Sequence, residues 1–187
     1  MELKPLGIEG AWLAESPVWC DERGFFREWF KSGDIKAATG IDFSIQQANI
    51  SQSQRGVIRG IHYSLAPQGQ AKWITCVSGS IKDVIVDIRP DSKNFGQWIE
   101  VELRGDSGNA VFISEGLGHG FVALEDNTAV AYLVSTSFSP TDEFEINPFD
   151  EKIGINWGMD LGRLKISDKD RSAPTLAERL AEGKLPQ

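Results

Sequence analysis

The sequence predicts an all-β protein, an antiparallel sandwich or barrel with short helices near its ends. Segments rich in β-branched and aromatic residues recur along the chain, partly in alternation with polar residues. Clusters of Gly, Asn, Asp and Ser separate these segments at short intervals, and no helical pattern intervenes. Strands at such spacing favour antiparallel pairing over βαβ units.

Five segments carry the strand pattern, and two shorter ones carry a helical pattern. The strand segments are 45–53, 72–89, 97–105, 110–116 and 129–138. Helices are expected at 31–40 and 174–185. In the second, Thr175 is a candidate N-cap, and Glu178 three residues later would complete a capping box. The chain shows no repeat, low-complexity tract or linker, so we expect one domain over residues 1–187.

Composition and charge narrow the class of protein. The 187 residues are 41% hydrophobic and carry a net charge of −8, which argues against a nucleic-acid partner because such a protein presents a basic face. No apolar run is long enough to span a bilayer, and the N-terminus lacks the pattern of a secretory signal. Cys20 and Cys76 resemble small buried apolar residues rather than a required disulfide. We therefore expect a soluble, cytoplasmic protein without membrane attachment.

The two histidines are the first candidates for chemistry. His62 and His119 both lie beside glycines, in RGIHYS and GHGF. Histidine is the usual proton-transfer group near neutral pH, although a purely structural role for each is equally compatible with the pattern. A metal site would need three or four spaced ligands, and Ser64 stands where a His-x-His pair with His62 would be completed. We therefore expect no metal.

Basic and acidic groups near the histidines suggest proton transfer next to a carbonyl. Arg59, His62 and Lys72 lie within 14 residues of one another, and a base beside a cation suits formation of an enolate. The alternative is a solvated basic strand edge. The charged segment 166–174 resembles a solvated loop, yet a carboxylate from it could fold back onto a histidine. Tyr132 fits a core or rim position, and Arg23 fits a turn.

Six segments, in order and spacing, carry a resemblance that covers nearly the whole chain. They are DERGFFREWF at 21–30, QQANIS at 46–51, GVIRGIHY at 56–63, QAKWITCVSGSIKDVIVDIR at 70–89, SEGLGHGFVAL at 114–124 and ISDKD at 166–170. Together they resemble the dTDP-4-dehydrorhamnose 3,5-epimerase family. The resemblance implies a cupin jelly-roll fold, a homodimer, and catalysis without a metal or other cofactor.

The resemblance also implies residue roles. His62 matches the catalytic base and Asp170 its carboxylate partner, with Asp168 as the neighbouring alternative. Tyr132 matches the acid on the opposite face, and Lys72 the cation beside the C4 oxygen. Substrate-contacting positions are matched by Arg23, Glu28, Gln47, Asn49, Arg59, His119, Glu143 and Lys169. Phe138 stands where relatives carry an aromatic stacked on the thymine, and Tyr or Trp would be expected there.

The implied activity is epimerisation of dTDP-4-dehydro-6-deoxy-D-glucose at C3 and C5 to dTDP-4-dehydro-L-rhamnose. Three alternatives stay open: an epimerase acting at C3 or C5 alone, a sugar-nucleotide 3,4-ketoisomerase, and a non-catalytic sugar-nucleotide-binding cupin. Product analysis separates a ketoisomerase from an epimerase, because a ketoisomerase moves the carbonyl and an epimerase does not. The third is disfavoured by the presence of both His62 and Tyr132.

Overall fold

Two antiparallel sheets form the body of the protein, as the sequence predicts. The computed structural model describes residues 1–67 and 69–186. The first sheet has the order β1-β2-β10-β7-β12-β5, and the second β13-β6-β11-β8-β9. Strands β3 and β4 pair only with each other. The strands are β1 Glu2–Pro5, β2 Ala11–Glu15, β3 Val18–Asp21, β4 Gly24–Arg27, β5 Gln47–Ser53, β6 Ile58–Ser64, β7 Lys72–Ser78, β8 Ser80–Asp87, β9 Trp98–Arg104, β10 Asn109–Ile113, β11 Leu117–Ala123, β12 Thr128–Val134 and β13 Glu143–Glu145.

Three helices and one 3₁₀ turn accompany the sheets: α1 Ser32–Thr39, α2 Asp168–Arg171, α3 Leu176–Ala181 and the turn Leu161–Arg163. Both predicted helices are present, and α1 follows four strands rather than opening the chain. The predicted capping box of α3 is confirmed, because Thr175 and Glu178 satisfy each other's backbone N–H groups. None of the described helices is long and apolar enough to cross a membrane.

The core lies between the sheets and under the C-terminal segment. Alternating inward residues of β8, β10 and β12, including Ile81, Val111 and Val130, fill the space between the sheets. A second cluster packs the outer face of β6 and β8 against the C-terminal segment through Trp157 and Leu176. A third cluster packs α1 against the outer face of the first sheet through Ile35 and Trp73, so both sheets are covered on their outer faces and the polar pocket opens between them.

Strand β5, at the edge of the first sheet, directs polar side chains inward and an apolar side chain outward, the reverse of the usual pattern. Gln47, Asn49 and Ser51 point toward the interior, whereas Ile50 points outward and is 75% exposed. Polar side chains inside a sandwich need partners, since burying them without hydrogen bonds is costly. The arrangement therefore indicates that the interior at this end receives a polar ligand.

Candidate active site

A cavity of 280 Å³ opens between the two sheets. One wall is formed by β5, β7 and β12 of the first sheet, and the other by β6, β11 and β13 of the second. The lining residues are Gln47, Asn49, Ser51, Arg59, His62, Gln70, Lys72, His119, Phe121, Val130, Tyr132, Val134, Phe138, Glu143, Phe144, Glu145 and Lys169. Eleven of the thirteen residues predicted for the site line this cavity or contact a residue that does.

His62 on β6 pairs with Asp170 at the mouth of the cavity. Its Nε2 lies 2.7 Å from Asp170 Oδ1, and the pairing is with Asp170 rather than Asp168, which is exposed. The carboxylate comes from α2, where the sequence pattern suggested a loop, and the Ser167 hydroxyl caps that helix by accepting from the Asp170 N–H at 3.1 Å. Burial raises the pKa of Asp170, but hydrogen bonds from His62, Ser167 and Gly60 outweigh it and hold that pKa below its usual range.

A second histidine–aspartate pair lies beside the first. His119 on β11 is the cross-strand neighbour of His62, and its Nε2 lies 2.7 Å from Asp83 Oδ2. Asp83 on β8 is fully buried, and its Oδ1 has no hydrogen-bond partner among the described residues. Burial raises the pKa of Asp83, although His119 opposes the effect. The sequence reasoning did not select Asp83. It lies on the same face of β8 as the core residues Ile81 and Ile85, and this alternation could have identified it.

The close approach of β6 and β11 brings the two histidines together. The backbone of Gly60 has a φ of +126°, and a Cβ there would lie 2.5 Å from the Cα of Gly120. Only glycine fits this contact, since it combines a left-handed backbone with no side chain. The register of the two strands shifts at this point, between His119 and Phe121. The glycines flanking the histidines in the sequence therefore serve the packing of their strands.

Tyr132 and Lys72 reach the cavity from the opposite sheet. Tyr132 lies on β12 and Lys72 at the start of β7, where it pairs in register with Val134. Burial raises the pKa of the Tyr132 hydroxyl, with Arg59 opposing and Glu143 adding to the shift. Burial lowers the pKa of Lys72 to about 8, and Glu143 opposes that shift. At neutral pH the cavity therefore offers a protonated phenol and an ammonium group on the wall facing His62.

The amide side chains of β5 and the loop after β12 meet at one end of the cavity. Gln47 Nε2 donates to Asn49 Oδ1 at 2.8 Å, and Gln47 Oε1 accepts from the Phe138 N–H at 2.9 Å. The Phe138 ring is 62% exposed at the rim. Arg59 donates through Nε to Ser53 Oγ at 3.1 Å. The Gln47 end combines an aromatic face with amides, which are suited to a nucleotide base, whereas Arg59 lies at the other end of β5 and offers a guanidinium suited to a diphosphate.

The short strand β13 adds two carboxylates. Glu143 and Glu145 face the cavity two residues apart, and Glu145 Oε2 lies 2.9 Å from the Lys169 Nζ. The Gln70 amide, which the sequence reasoning did not select, contacts both Lys72 and Glu143. Glu145 was also missed, although its alternation with Glu143 could have found it. Every side chain on strands β5 to β13 for which a role is predicted thus lines the same cavity.

Arg23 and Glu28 lie outside this cavity. Arg23 is at the tip of the hairpin of β3 and β4, where its exposed guanidinium contacts Asp21, and Glu28 follows β4. The hairpin makes no sheet pairing with the other described strands, and neither residue lines the cavity of its own chain. Contact of Arg23 and Glu28 with a ligand stays a prediction.

The histidines of the pocket each contact a carboxylate and do not join a larger cluster of described side chains. Among residues 1–67 and 69–186, no group of three or more His, Cys, Asp or Glu side chains could hold a metal ion. Each histidine is instead engaged with a single carboxylate at hydrogen-bond distance. The chemistry that this pocket offers is acid–base chemistry: a histidine–carboxylate pair on one wall, with a phenol and an ammonium on the other.

The fold and pocket define a jelly roll of the cupin class with an acid–base site between its sheets. A family model described as dTDP-4-dehydrorhamnose 3,5-epimerase matches residues 5–178. A relative of that name from Mycolicibacterium smegmatis is 44% identical over 186 residues, covering 100% of this chain and 91% of its own. The chain belongs to the dTDP-4-dehydrorhamnose 3,5-epimerase family.

Two solved structures share the fold over nearly the whole chain. An epimerase from Mycobacterium tuberculosis superposes with a TM-score of 0.96 at 39% identity, covering 100% of this chain and 94% of its own. A 3'-monoepimerase from Streptomyces bikiniensis, solved in complex with dTDP-quinovose, gives a TM-score of 0.93 at 42% identity, covering 98% of this chain and 92% of its own. Relatives that act at two carbons and at one are thus about equally similar to this chain.

Proposed function

We propose that this protein epimerises dTDP-4-dehydro-6-deoxy-D-glucose at C3 and C5, giving dTDP-4-dehydro-L-rhamnose, by acid–base catalysis without a metal. The observation that carries the proposal is the pairing of His62 with Asp170 on one wall of a cavity whose opposite wall presents Tyr132 and Lys72. Inversion of a carbon centre needs a base and an acid on opposite faces of the substrate, which two facing sheets provide.

In this proposal His62 removes the protons that the C4 ketone acidifies. Its Nε2 is engaged by Asp170, which favours a proton on that nitrogen and leaves Nδ1 unprotonated as the acceptor. The lowered pKa of Asp170 keeps the carboxylate ionised at neutral pH, so it stabilises the imidazolium that forms. Asp170 therefore orients the base and shares the developing charge.

Tyr132 and Lys72 complete the reaction from the other wall. The raised pKa of Tyr132 means that the phenol carries a proton at neutral pH and can return it to the face away from His62. Lys72 keeps an ammonium below its pKa of about 8, and that charge stabilises the enolate oxygen at C4. Arg59, His119 and Lys169 would supply further cationic or donor contacts to the sugar and diphosphate.

The nucleotide end of the pocket supports binding of a thymine nucleotide. Stacking needs only the π-face of a ring, so Phe138 serves in place of the Tyr or Trp expected there, without a hydrogen bond from its ring. Gln47 and Asn49 supply amide donors and acceptors beside it. Glu143 lies nearer the reactive wall, within reach of Gln70.

We further propose a homodimer in the cytoplasm, in which the hairpin of β3 and β4 completes the pocket of a second copy. Trp19, Phe25 and Phe26 are 51%, 55% and 65% exposed on this hairpin, and exposed aromatic clusters mark interaction surfaces. The hairpin also carries Arg23 and leads to Glu28, the two predicted contacts that the pocket of one chain lacks. Sedimentation should give twice the monomer mass, and a monomer would contradict the proposal. Cys76 is buried as predicted, whereas Cys20 on β3 is exposed, which corrects the prediction that both are buried; the free thiols of both fit a reducing compartment.

A second candidate function is epimerisation at C3 alone. The Streptomyces bikiniensis 3'-monoepimerase is 42% identical to this chain, close to the 44% of the Mycolicibacterium smegmatis relative. Incubation with dTDP-4-dehydro-6-deoxyglucose in D2O separates the two, because NMR reads deuterium at C3 and C5 independently. Label at both carbons with inversion at both supports the first function, and label and inversion at C3 alone support the second.

Tyr132→Phe, assayed in D2O, tests whether His62 removes the proton from one wall and Tyr132 returns it from the other. The substitution keeps the ring and removes the hydroxyl, so His62 should still abstract a proton and return a solvent-derived one to the same face. Deuterium incorporation should continue while product formation falls much further, by about 100-fold or more. If exchange and product formation fall by the same factor, Tyr132 positions the substrate and the acid lies elsewhere. Unchanged binding of dTDP is the control for folding.

A further inference from the structure

Lys72 occupies a position that would be costly without a specific partner. Its side chain is 6% exposed, and a buried ammonium needs acceptors for its N–H groups. The structure gives it one side-chain acceptor at hydrogen-bond distance, Gln70 Oε1 at 2.6 Å. Among the residues that the structure describes, no carboxylate lies within ion-pair distance of Lys72. The cation is therefore held by a neutral group.

The other end of the Gln70 amide is fixed as well. Its Nε2 lies 3.0 Å from Thr136 Oγ1, 3.4 Å from Thr136 O and 3.2 Å from Glu143 Oε1. The ammonium can only donate and the carboxylate can only accept, so the amide oxygen must face Lys72 and the amide nitrogen must face Glu143. The orientation of Gln70 is set by its partners at both ends.

A neutral amide thus separates a cation from an anion that would otherwise pair. Glu143 still attracts Lys72 through space, but burial outweighs that attraction and leaves the pKa of Lys72 at about 8. A direct contact would favour the charged form much more strongly, by about 1–3 pH units for an opposite charge within a few ångströms. It would also commit the ammonium to Glu143, on the facing wall of the same cavity, instead of to a substrate oxygen.

We propose that Gln70 is the positioning residue for Lys72: it holds the ammonium toward the reacting oxygen and prevents Glu143 from pairing with it. This inference rests on the proposed function, in which Lys72 stabilises the enolate at C4. One of the three N–H groups of the ammonium is committed to Gln70, so the other two are available to the substrate. A neutral partner leaves the positive charge uncompensated, which is what an enolate requires.

Gln70→Glu tests the inference with almost no change in volume. One oxygen of the new carboxylate would lie where Gln70 Oε1 now accepts from Lys72, and the other would face Glu143, so the ammonium would be neutralised in place by the closer of two carboxylates. We expect kcat to fall about 10-fold to 100-fold with KM changed less than about 3-fold, because the lost interaction is made in the transition state. The alkaline limb of the pH–rate profile should move upward by about one pH unit or more.

Thr136→Val is the matched control, since it removes one anchor of the Gln70 amide and leaves its contacts with Lys72 and Glu143. A neutral hydrogen bond of this kind contributes about 0.5–1.5 kcal/mol, so kcat should fall by no more than about 10-fold and the alkaline limb should stay in place. A loss in Gln70→Glu no larger than in Thr136→Val, without movement of the limb, would overturn the inference.

A direct titration separates this inference from the proposed function. NMR of protein labelled with ¹⁵N-lysine, assigned by Lys72→Met, should show Lys72 titrating near pH 8 in the parent and at least about one unit higher in Gln70→Glu. An unchanged titration would refute the positioning role whatever the activity. A shifted titration in Gln70→Glu, together with a parent protein that lacks epimerase activity, would refute the proposed function and leave only the control of the Lys72 pKa by Gln70.

Discussion

The two histidine–aspartate pairs of the pocket have the same length and opposite surroundings. In both, Nε2 lies 2.7 Å from a carboxylate oxygen. The His62 side chain is 43% exposed, and Asp170 receives hydrogen bonds from three sources. The His119 side chain is 12% exposed, and the fully buried Asp83 has one oxygen without a partner.

The difference shows that a contact distance does not determine the chemistry of a pair. Burial pushes the pKa of both carboxyls upward, but the additional donors around Asp170 reverse the shift, whereas Asp83 has His119 alone and its pKa stays raised. The pair that opens to the cavity is therefore suited to exchanging protons with a substrate. The buried pair is suited to holding the His119 ring in one orientation.

The largest effect is expected when each histidine is replaced by alanine in turn. His62→Ala should lose solvent exchange at both carbons, with a fall of about 10,000-fold or more, the upper end of what a general base contributes. His119→Ala should lose about 10-fold to 100-fold, as for a hydrogen bond to a charged group. Deuterium exchange measures both, and dTDP binding by His62→Ala is the control for folding. Equal losses in the two variants would break the distinction between the pairs.

A smaller effect, of opposite sign in the two pairs, is expected on stability in acid. The pKa of Asp170 is lower in the folded than in the unfolded protein, so its contribution is present above the unfolded value, about 3.9, and is lost as pH falls through the folded pKa. The pKa of Asp83 is higher in the folded protein, so stability is gained as pH falls through that raised value.

Matched asparagine variants make this comparison measurable. Asp170→Asn should cost about 1–2 kcal/mol at pH 7 and flatten the decline of unfolding free energy toward pH 3. Asp83→Asn should make that decline steeper than in the parent, because the gain on protonation is removed. Urea unfolding between pH 7 and pH 3 gives all three slopes. Parallel slopes would mean that the two carboxyls do not differ in pKa as described.

No effect is expected from removal of divalent ions. Each histidine is engaged by one carboxylate, and the described residues hold no cluster of ligands. Extensive EDTA treatment should leave the epimerisation rate unchanged. A rate that falls with the chelator and returns with a divalent ion would give one of the pairs a role as a ligand.

The sequence predicts the strands that carry β-branched residues and misses those that carry glycine. The segment 72–89 is found as two strands, β7 and β8, which are separated at Gly79. Strands β6 and β11 were not among the predicted strands, because glycine is depleted from strands in general. Here the glycines permit a close approach that no periodicity reveals. The four short strands before α1 were also missed, since four or five residues give little alternation.

The resemblance selected most of the side chains that line the cavity. The residues that contact those side chains could not be selected, because only the tertiary structure brings them together. His62, Lys72 and Tyr132 stand in segments that resemble the family over many positions, so they were selected with their roles. Asp83 and Gln70 each contact another side chain of the pocket, and such contacts join residues that only the packing of the fold brings together. Arg23 and Glu28 were selected by the same resemblance, but their hairpin does not reach the pocket of its own chain.

The four-residue helix α2 affects how the contact between His62 and Asp170 responds to warming and when that contact forms during synthesis. Asp170 follows His62 by 108 residues, and a helix this short has no stability of its own. Segments of this kind open at a lower free energy than the sheets around them. We therefore expect mild warming to loosen the contact between Asp170 and His62 while both sheets stay folded, so the rate should fall before the protein melts and recover on cooling. On the ribosome, the described strands are fully synthesised by the end of β13, and His62 receives its partner only afterwards.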